Sequence, residues 1–199
     1  DALFASDCDP WRFRTRWYEQ RKRALTLACL PQTRYGSGFE PGCANGELSA
    51  ALAERCDRLH VSDASARAVA LARSRLQRHA HVVVQQATMP DGWPAPAKDS
   101  GAEAFDLIVV SELGYFLRDA AEITRLGRRA RAALTEGGTL LACHWRHPIN
   151  GYALDGDTVH QLLAQAHGLH RLGGYLDADL RLDVWQTDQV SVAAREGLV

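Results

Sequence analysis

The chain has no apolar stretch approaching the ~20 residues of a membrane span, so no membrane-crossing helix is expected. It has no C-x-x-C pair. Cys8, Cys29, Cys43, Cys56 and Cys143 are odd in number and dispersed, which argues against a disulfide framework and for reduced thiols in a cytoplasmic setting. It has no excess of one charge. Twenty-three basic against 24 acidic residues leave a formal net charge of −1, which gives no electrostatic case for nucleic acid or an anionic membrane as partner. No internal repeat is present. The sequence opens at Asp1 without a methionine or a signal-like segment, so a few N-terminal residues are expected to be missing from it. What remains, 199 residues at 46% hydrophobic and 24% charged, implies one globular domain over 1–199 with a proper core.

What is present is organised around residues 36–63. A run ending at Phe39-Glu40 enters a glycine turn, Gly42-Cys43-Ala44-Asn45-Gly46. An apolar-periodic helix follows (Leu48, Ala51, Leu52), then a buried run, Leu59-His60-Val61, that ends at Asp63. Strand, glycine turn, helix, strand and carboxylate make the first half of a nucleotide-binding doubly wound fold. Gly42 and Gly46 let the backbone turn tightly, and Asp63 can accept hydrogen bonds from both hydroxyls of a ribose. A dinucleotide site wants G-x-G-x-x-G with the pyrophosphate over the helix N-terminus. Here the middle glycine is Ala44, and Glu40 stands just before the turn. That carboxylate would repel a pyrophosphate but suits an ammonium group. S-adenosylmethionine carries an amino-acid tail, a ribose and no phosphate. The pattern therefore resembles the first motif of class I S-adenosylmethionine-dependent methyltransferases, and NAD is the least favoured ligand.

Around this stretch the chain alternates. Asp9-Pro10-Trp11 predicts a helix start, with Asp at the N-cap and Pro in the first turn. The helix, over 9–30, mixes Trp11, Phe13, Trp17 and Tyr18 with Arg12, Arg14, Arg16, Arg21, Lys22 and Arg23. It reads either as an amphipathic helix laid across the sheet or as a lid over a ligand. Ser65 predicts the cap of a helix to about His79, and His81–Gln85 a buried parallel strand. Residues 87–104 read as a loop. Phe105–Val110 is the clearest strand and delivers Ser111-Glu112-Leu113-Gly114-Tyr115 at its carboxyl end, where open α/β sheets bind ligands. A helix over 119–134 stopped by Gly137-Gly138, a strand over 139–143, a helix capped by Asp157 and a hairpin over 169–175 and 180–192 complete the core, 36–192. The fold class expected is α/β, Rossmann-like and doubly wound, a seven-stranded mostly parallel sheet with an antiparallel terminal hairpin.

Asp9-Pro10-Trp11, Tyr18-Glu19-x-Arg21-Lys22, the Glu40-x-Gly-Cys-x-x-Gly-x-Leu turn, and Phe105-Asp-Leu-Ile-Val-Val-Ser-Glu112 with Tyr115-Phe116-Leu117 together resemble the NodS-type (nodulation protein S) methyltransferases over about residues 9–145. The resemblance implies strand order 3-2-1-4-5-7-6 and a SAM-dependent enzyme that forms S-adenosylhomocysteine. It also implies N-methylation of a free amine on a small molecule, as on a de-N-acetylated chitooligosaccharide. One segment, His144-Trp145-Arg146-His147, has no counterpart in that pattern and leaves the acceptor open.

In the cofactor site so implied, Glu40 and the backbone of Gly42, Cys43 and Ala44 would hold the methionine moiety, with Lys22 or Arg21 on its carboxylate. Asp63 would take the ribose hydroxyls and Ala64 would flank the adenine. Thr88 and Met89 would lie near the adenine amino group, and Ser111 would close the site. On the acceptor side Glu112 is the candidate to orient the amine and draw off its proton, beside Tyr115 and His144 as catalytic candidates. Trp17, Tyr18, Trp145 and Arg146 are the substrate-binding candidates. A metal at His144-x-x-His147 with Cys143 is disfavoured, because neighbouring residues on a strand face opposite ways. His60, His79, His81, His160, His167 and His170 read as structural. Two other readings stay open: an O- or carboxyl-methyltransferase clamping its acceptor with His144 and Arg146, and an RNA-associated methyltransferase using the basic helix. Oligomeric state does not follow from these residues.

Overall fold

The computed structural model describes Phe4, residues 7–94 and residues 104–199. Most of the expected lead-in over 1–8, and residues 95–103 of the expected loop, lie outside the described residues. Helix α1 (Trp17–Ala28) precedes β1 (Tyr35–Pro41), α2 (Glu47–Ala53), β2 (Cys56–Asp63), α3 (Ala66–Leu76) and β3 (Val82–Gln86). Then come β4 (Phe105–Ser111), a 3-10 turn (Gly114–Phe116), α4 (Ala120–Ala133) and β5 (Leu134–Trp145). The chain ends with α5 (Gly156–Leu163), β6 (His170–Leu176), β7 (Leu180–Gln186) and the short α6 (Val192–Arg195). No helix among the described residues is long and apolar enough to cross a membrane.

The strands form one seven-stranded sheet in the order β3-β2-β1-β4-β5-β7-β6, the order the family resemblance implied. β1 to β5 run parallel, and β7 runs antiparallel to both β5 and β6. Strand β4 shows why its sequence is continuously apolar: Leu107, Ile108, Val109 and Val110 are all fully buried. Leu107 and Val109 pack with Leu52, Leu59 and Leu76 on one face. Ile108 and Val110 pack with Ile123, Leu126 and Val159 of α4 and α5 on the other. A strand covered on both faces cannot alternate. Asp106 interrupts the run because its carboxylate accepts from the Gly36 and Ser37 amides at 2.7 and 2.8 Å, pinning the start of β1.

Capping follows the sequence at Ser65, and Asp119 caps α4 in the same way. Ser65 accepts from the Ala68 amide at 3.1 Å and Asp119 from Glu122 at 2.9 Å. Five expectations change. Asp9 does not start a helix: it accepts from the Phe13 and Arg14 amides, and Arg12 sits at φ 57°, which no right-handed helix continues through. The helix begins instead at Trp17. Strand β3 lies at the sheet edge with Val83 56% exposed, so its apolar run is not a buried one. Gly137-Gly138 do not stop α4. Leu134 already has extended backbone and pairs with Phe105, and the glycines lie inside β5. Asp155, not Asp157, caps α5, accepting from Thr158 at 2.7 Å. Strand β7 also ends at Gln186, short of residue 192.

Truncating Ile108 to Ala is expected to cost about 2–5 kcal/mol in urea unfolding, from lost burial plus a cavity. Val83→Thr, at the exposed edge, should stay within about 0.5 kcal/mol. Equal losses would contradict this placement of the core.

Candidate active site

Strand order reverses between β1 and β4: β2 and β3 continue on one side of β1, β5 on the far side of β4. Crevices at such points, outside the strands' carboxyl ends, bind ligands in open α/β sheets. The turn after β1 enters this crevice with Gly42, Ala44 and Gly46 at φ 77°, 48° and 81°. Ala44 thus holds a conformation that favours glycine. The turn is tied down from β2. The Gly42 and Cys43 amides donate to the Ser62 carbonyl at 2.7 and 2.9 Å, and the Ala44 amide donates to Asp63 Oδ2 at 2.9 Å. The Ser65 amide donates to Asp63 Oδ1 at 2.9 Å.

This arrangement decides what the turn can bind. The Gly42, Cys43 and Ala44 amides of the turn are already donating within the protein. The carboxylates beside the turn, Glu40 and Asp63, favour a cationic or hydroxyl-bearing ligand. Asp63 is half-buried, and each of its oxygens keeps a lone pair beyond the amide it accepts. Glu40 is buried, accepts from Ser49 Oγ at 2.5 Å, and has its carboxyl pushed up to about 8 by burial. A positive group beside it would restore its charge. Burial also pushes the Cys43 thiol well up, which removes it as a nucleophile. Ala64 and Thr88 are exposed at the ends of β2 and β3, Met89 is buried, and Ser111 is half-buried at the end of β4.

The acceptor-side residues converge on Glu112, which sits at φ 55° directly after β4. Its Oε1 accepts from the Trp145 amide at 3.1 Å and lies 3.1 Å from Lys22 Nζ, and its Oε2 accepts from the Tyr115 hydroxyl. Lys22 is buried and also pairs with Glu19 at 2.8 Å, with its ammonium over the Tyr18 ring. Burial opposes its charge, but Glu112 and Glu19 outweigh it and raise its pKa. Burial raises the Glu19 carboxyl. Burial and Glu112 hold the Tyr115 hydroxyl far above its usual range. Tyr18 stands edge-on to Trp145, ring centroids 5.0 Å apart, and its buried hydroxyl has no partner among the described residues.

Several site residues stand elsewhere than expected. Lys22 and Arg21 are not free to clamp a cofactor carboxylate. Lys22 is held by two carboxylates, and Arg21 pairs with Asp177 at 2.8 Å and with the Tyr175 hydroxyl, tying α1 to the terminal hairpin. Arg146 is bound to Asp157 and to the Asp177 carbonyl, so it offers no open cation. Trp17 is 73% exposed, turned to solvent rather than enclosed in the crevice. His144 is fully buried with both ring nitrogens engaged, by the Gly114 amide and by His160, so it cannot touch an acceptor. His147 is exposed and pairs with Asp179. Glu19, Ser49, His160 and Asp183 are parts the sequence reading missed. Only Glu19, three residues before Lys22, carried a local signal.

Lys22→Met would leave Glu19 and Glu112 without their cation and is expected to cost about 3–5 kcal/mol in chemical denaturation. Adding Glu19→Gln should recover part of the loss. A single-variant loss under about 1 kcal/mol would remove Lys22 as the keystone of the cluster.

The family model for nodulation protein S (NodS) matches residues 4–165. Nodulation protein S of Rhizobium tropici is 34% identical over 136 residues, covering 67% of this chain and 53% of that protein. The chain therefore matches about half the length of that relative. Among solved structures, a candidate methyltransferase from Pseudomonas syringae is 53% identical with a TM-score of 0.73, covering 86% of this chain and 99% of that one. The N-methyltransferase NodS from Bradyrhizobium japonicum WM9, in complex with S-adenosyl-L-homocysteine, is 27% identical with a TM-score of 0.80, covering 94% and 96%. With the seven-stranded sheet of the class I methyltransferases, the chain belongs to the nodulation protein S (NodS) family.

Proposed function

We propose that this protein is a cytoplasmic S-adenosylmethionine-dependent N-methyltransferase whose acceptor is the free amine of a small molecule, of the amino-sugar class found in de-N-acetylated chitooligosaccharides. The observation that carries the proposal is the charge of the crevice. Glu40 and Asp63 line one half, Glu19 and Glu112 share a single cation in the other, and no amide of the Gly42–Ala44 turn is free for an anion. The bound S-adenosylhomocysteine of the Bradyrhizobium japonicum relative supports the same cofactor here.

Glu40 lies where a methionine ammonium would restore its charge, and Asp63 uses its free lone pairs on the ribose hydroxyls. Ala64, Thr88 and Met89 border the adenine end, and Ser111 closes the crevice between β1 and β4. When bound, S-adenosylmethionine supplies a methyl group on a sulfonium, transferred in line to the amine lone pair. The chain's own task is to align that amine and exclude water. Glu112 accepts from Lys22, the Trp145 amide and Tyr115, which leaves about one of its four lone-pair sites for an acceptor N–H. It acts first as an orienting carboxylate. Tyr18 and Trp145 form the adjoining wall, where the indole can stack on a sugar face. Of the residues that would clamp a carboxylate acceptor, Arg146 is committed to Asp157 and His144 is buried with both ring nitrogens engaged, so the geometry favours an amine.

The test is release of S-adenosylhomocysteine from S-adenosylmethionine with chitooligosaccharides bearing or lacking a free amine. Turnover is expected only with the free amine, with kcat falling about a hundredfold in Glu112→Gln. Asp63→Asn should weaken S-adenosylhomocysteine binding about tenfold. Methyl transfer to oxygen, or equal turnover of the fully N-acetylated oligomer, would overturn the proposal.

A further inference from the structure

His144, His160 and Asp183 come from β5, α5 and β7 and form one hydrogen-bonded chain sealed from solvent, with exposures of 0%, 0% and 2%. His144 Nε2 lies 3.1 Å from the Gly114 amide nitrogen, and His144 Nδ1 lies 3.1 Å from His160 Nε2. His160 Nδ1 lies 2.7 Å from Asp183 Oδ2. An amide only donates and a carboxylate only accepts, so the two ends fix the middle. Both imidazoles are neutral and both carry their proton on Nδ1. Arg171 and Arg181 donate to Asp183 at 2.7 and 2.8 Å and keep it a carboxylate.

The free end of the chain is the Gly114 amide, two residues after Glu112 and one before Tyr115. Gly114 lets α5 dock closely, since a Cβ there would collide with Val159. Glu112 is held at a left-handed backbone angle, a conformation that costs energy and persists only where its surroundings enforce it. We propose that Asp183, His160 and His144 are positioning residues for the acceptor side: they anchor the Gly114 amide and so fix the turn that presents Glu112 and Tyr115. This inference rests on the proposed N-methyl transfer for its kinetic consequence, though not for the existence of the anchor.

Two facts separate this from plain core filling. A volume-matched apolar pair would pack the same space without two buried polar rings to satisfy. Every polar atom of the chain is also used in one direction, ending on a backbone donor of the site's own turn. The groups facing His144 are His160, Lys22 and the Tyr115 ring; those facing His160 are Asp183, Arg181 and Asp157. Burial lowers the pKa of both histidines, which keeps Nε2 of His144 an acceptor at neutral pH.

His144→Gln places an amide oxygen where Nε2 lies and keeps the acceptor for Gly114. His144→Asn keeps a donor towards His160 but leaves the Gly114 amide without an acceptor. In His144→Asn, hydrogen exchange at Gly114 should quicken at least tenfold and kcat fall about ten- to a hundredfold, with KM for S-adenosylmethionine within about twofold. His144→Gln should restore both to within about threefold of the parent. Should His144→Asn not fold, His160→Gln, which keeps the acceptor for His144 and drops the donor to Asp183, should show the same exchange effect in weaker form. Equal behaviour of His144→Gln and His144→Asn, or unchanged kcat with lost Gly114 protection, overturns the proposal. If the parent methylates no amine, the reaction reading fails by itself. The Gly114 exchange contrast and the nitrogen-15 shifts of His144 and His160 then still decide the anchor: two Nδ1-protonated neutral rings support it, and any other tautomer overturns it.

Discussion

The site depends on buried carboxylates that outnumber the cations near them. Glu40 sits under the glycine turn and, among the described residues, accepts from Ser49, and Glu19 and Glu112 share one lysine. Removing a carboxylate from water is costly unless it is neutralised, paired or hydrogen-bonded. The structure uses all three remedies. Glu40 is held protonated, Lys22 is charged between two acids, and Glu112 is hydrogen-bonded by Tyr115 and the Trp145 amide. Each remedy also leaves a vacancy in charge that a positive ligand group can take. A crevice built this way is hostile to phosphate and receptive to ammonium.

That electrostatic frame needs rigid walls, and the sheet provides them. The crevice opens between β1 and β4, and the four central residues of β4 have no exposure. Asp63 ties the first turn from β2, and the His144–His160–Asp183 chain ties the second turn from β7. Helix α1 closes over them through Lys22 at one point and Arg21 on Asp177 at another. The terminal hairpin is therefore more than an edge: its Asp177 and Asp183 both reach back towards the active-site side of the sheet.

Features set by local sequence were legible beforehand. The glycine turn, Glu40 and Asp63 fall within one strand–helix–strand unit, where spacing alone dictates geometry. The cap at Ser65 and the apolar run of β4 are equally local. Misreadings arose where two local solutions compete. Asp-Pro opens a helix or a turn equally well, and at residues 9–15 the turn won because Arg12 goes left-handed. A β-branched run fits an edge as well as a centre, as Val83 shows. What could not be read were partners distant in sequence: Lys22 with Glu112, Arg146 with Asp157, and His144 with His160 and Asp183. A basic residue near a site looks available until its acid is known, which is why Lys22, Arg21 and Arg146 were expected to serve ligands.

The most direct measurement is calorimetry of S-adenosylhomocysteine binding near pH 7 in buffers of different ionisation enthalpy, which counts protons exchanged. Glu40 has its pKa raised to about 8 in the free protein, so at pH 7 it holds most of a proton. An ammonium placed beside it lowers that pKa, so binding should release a large part of one proton, and Glu40→Gln should abolish the release while weakening affinity. Tight binding with no proton release, unchanged in Glu40→Gln, would contradict a site organised around buried carboxylates awaiting a cation.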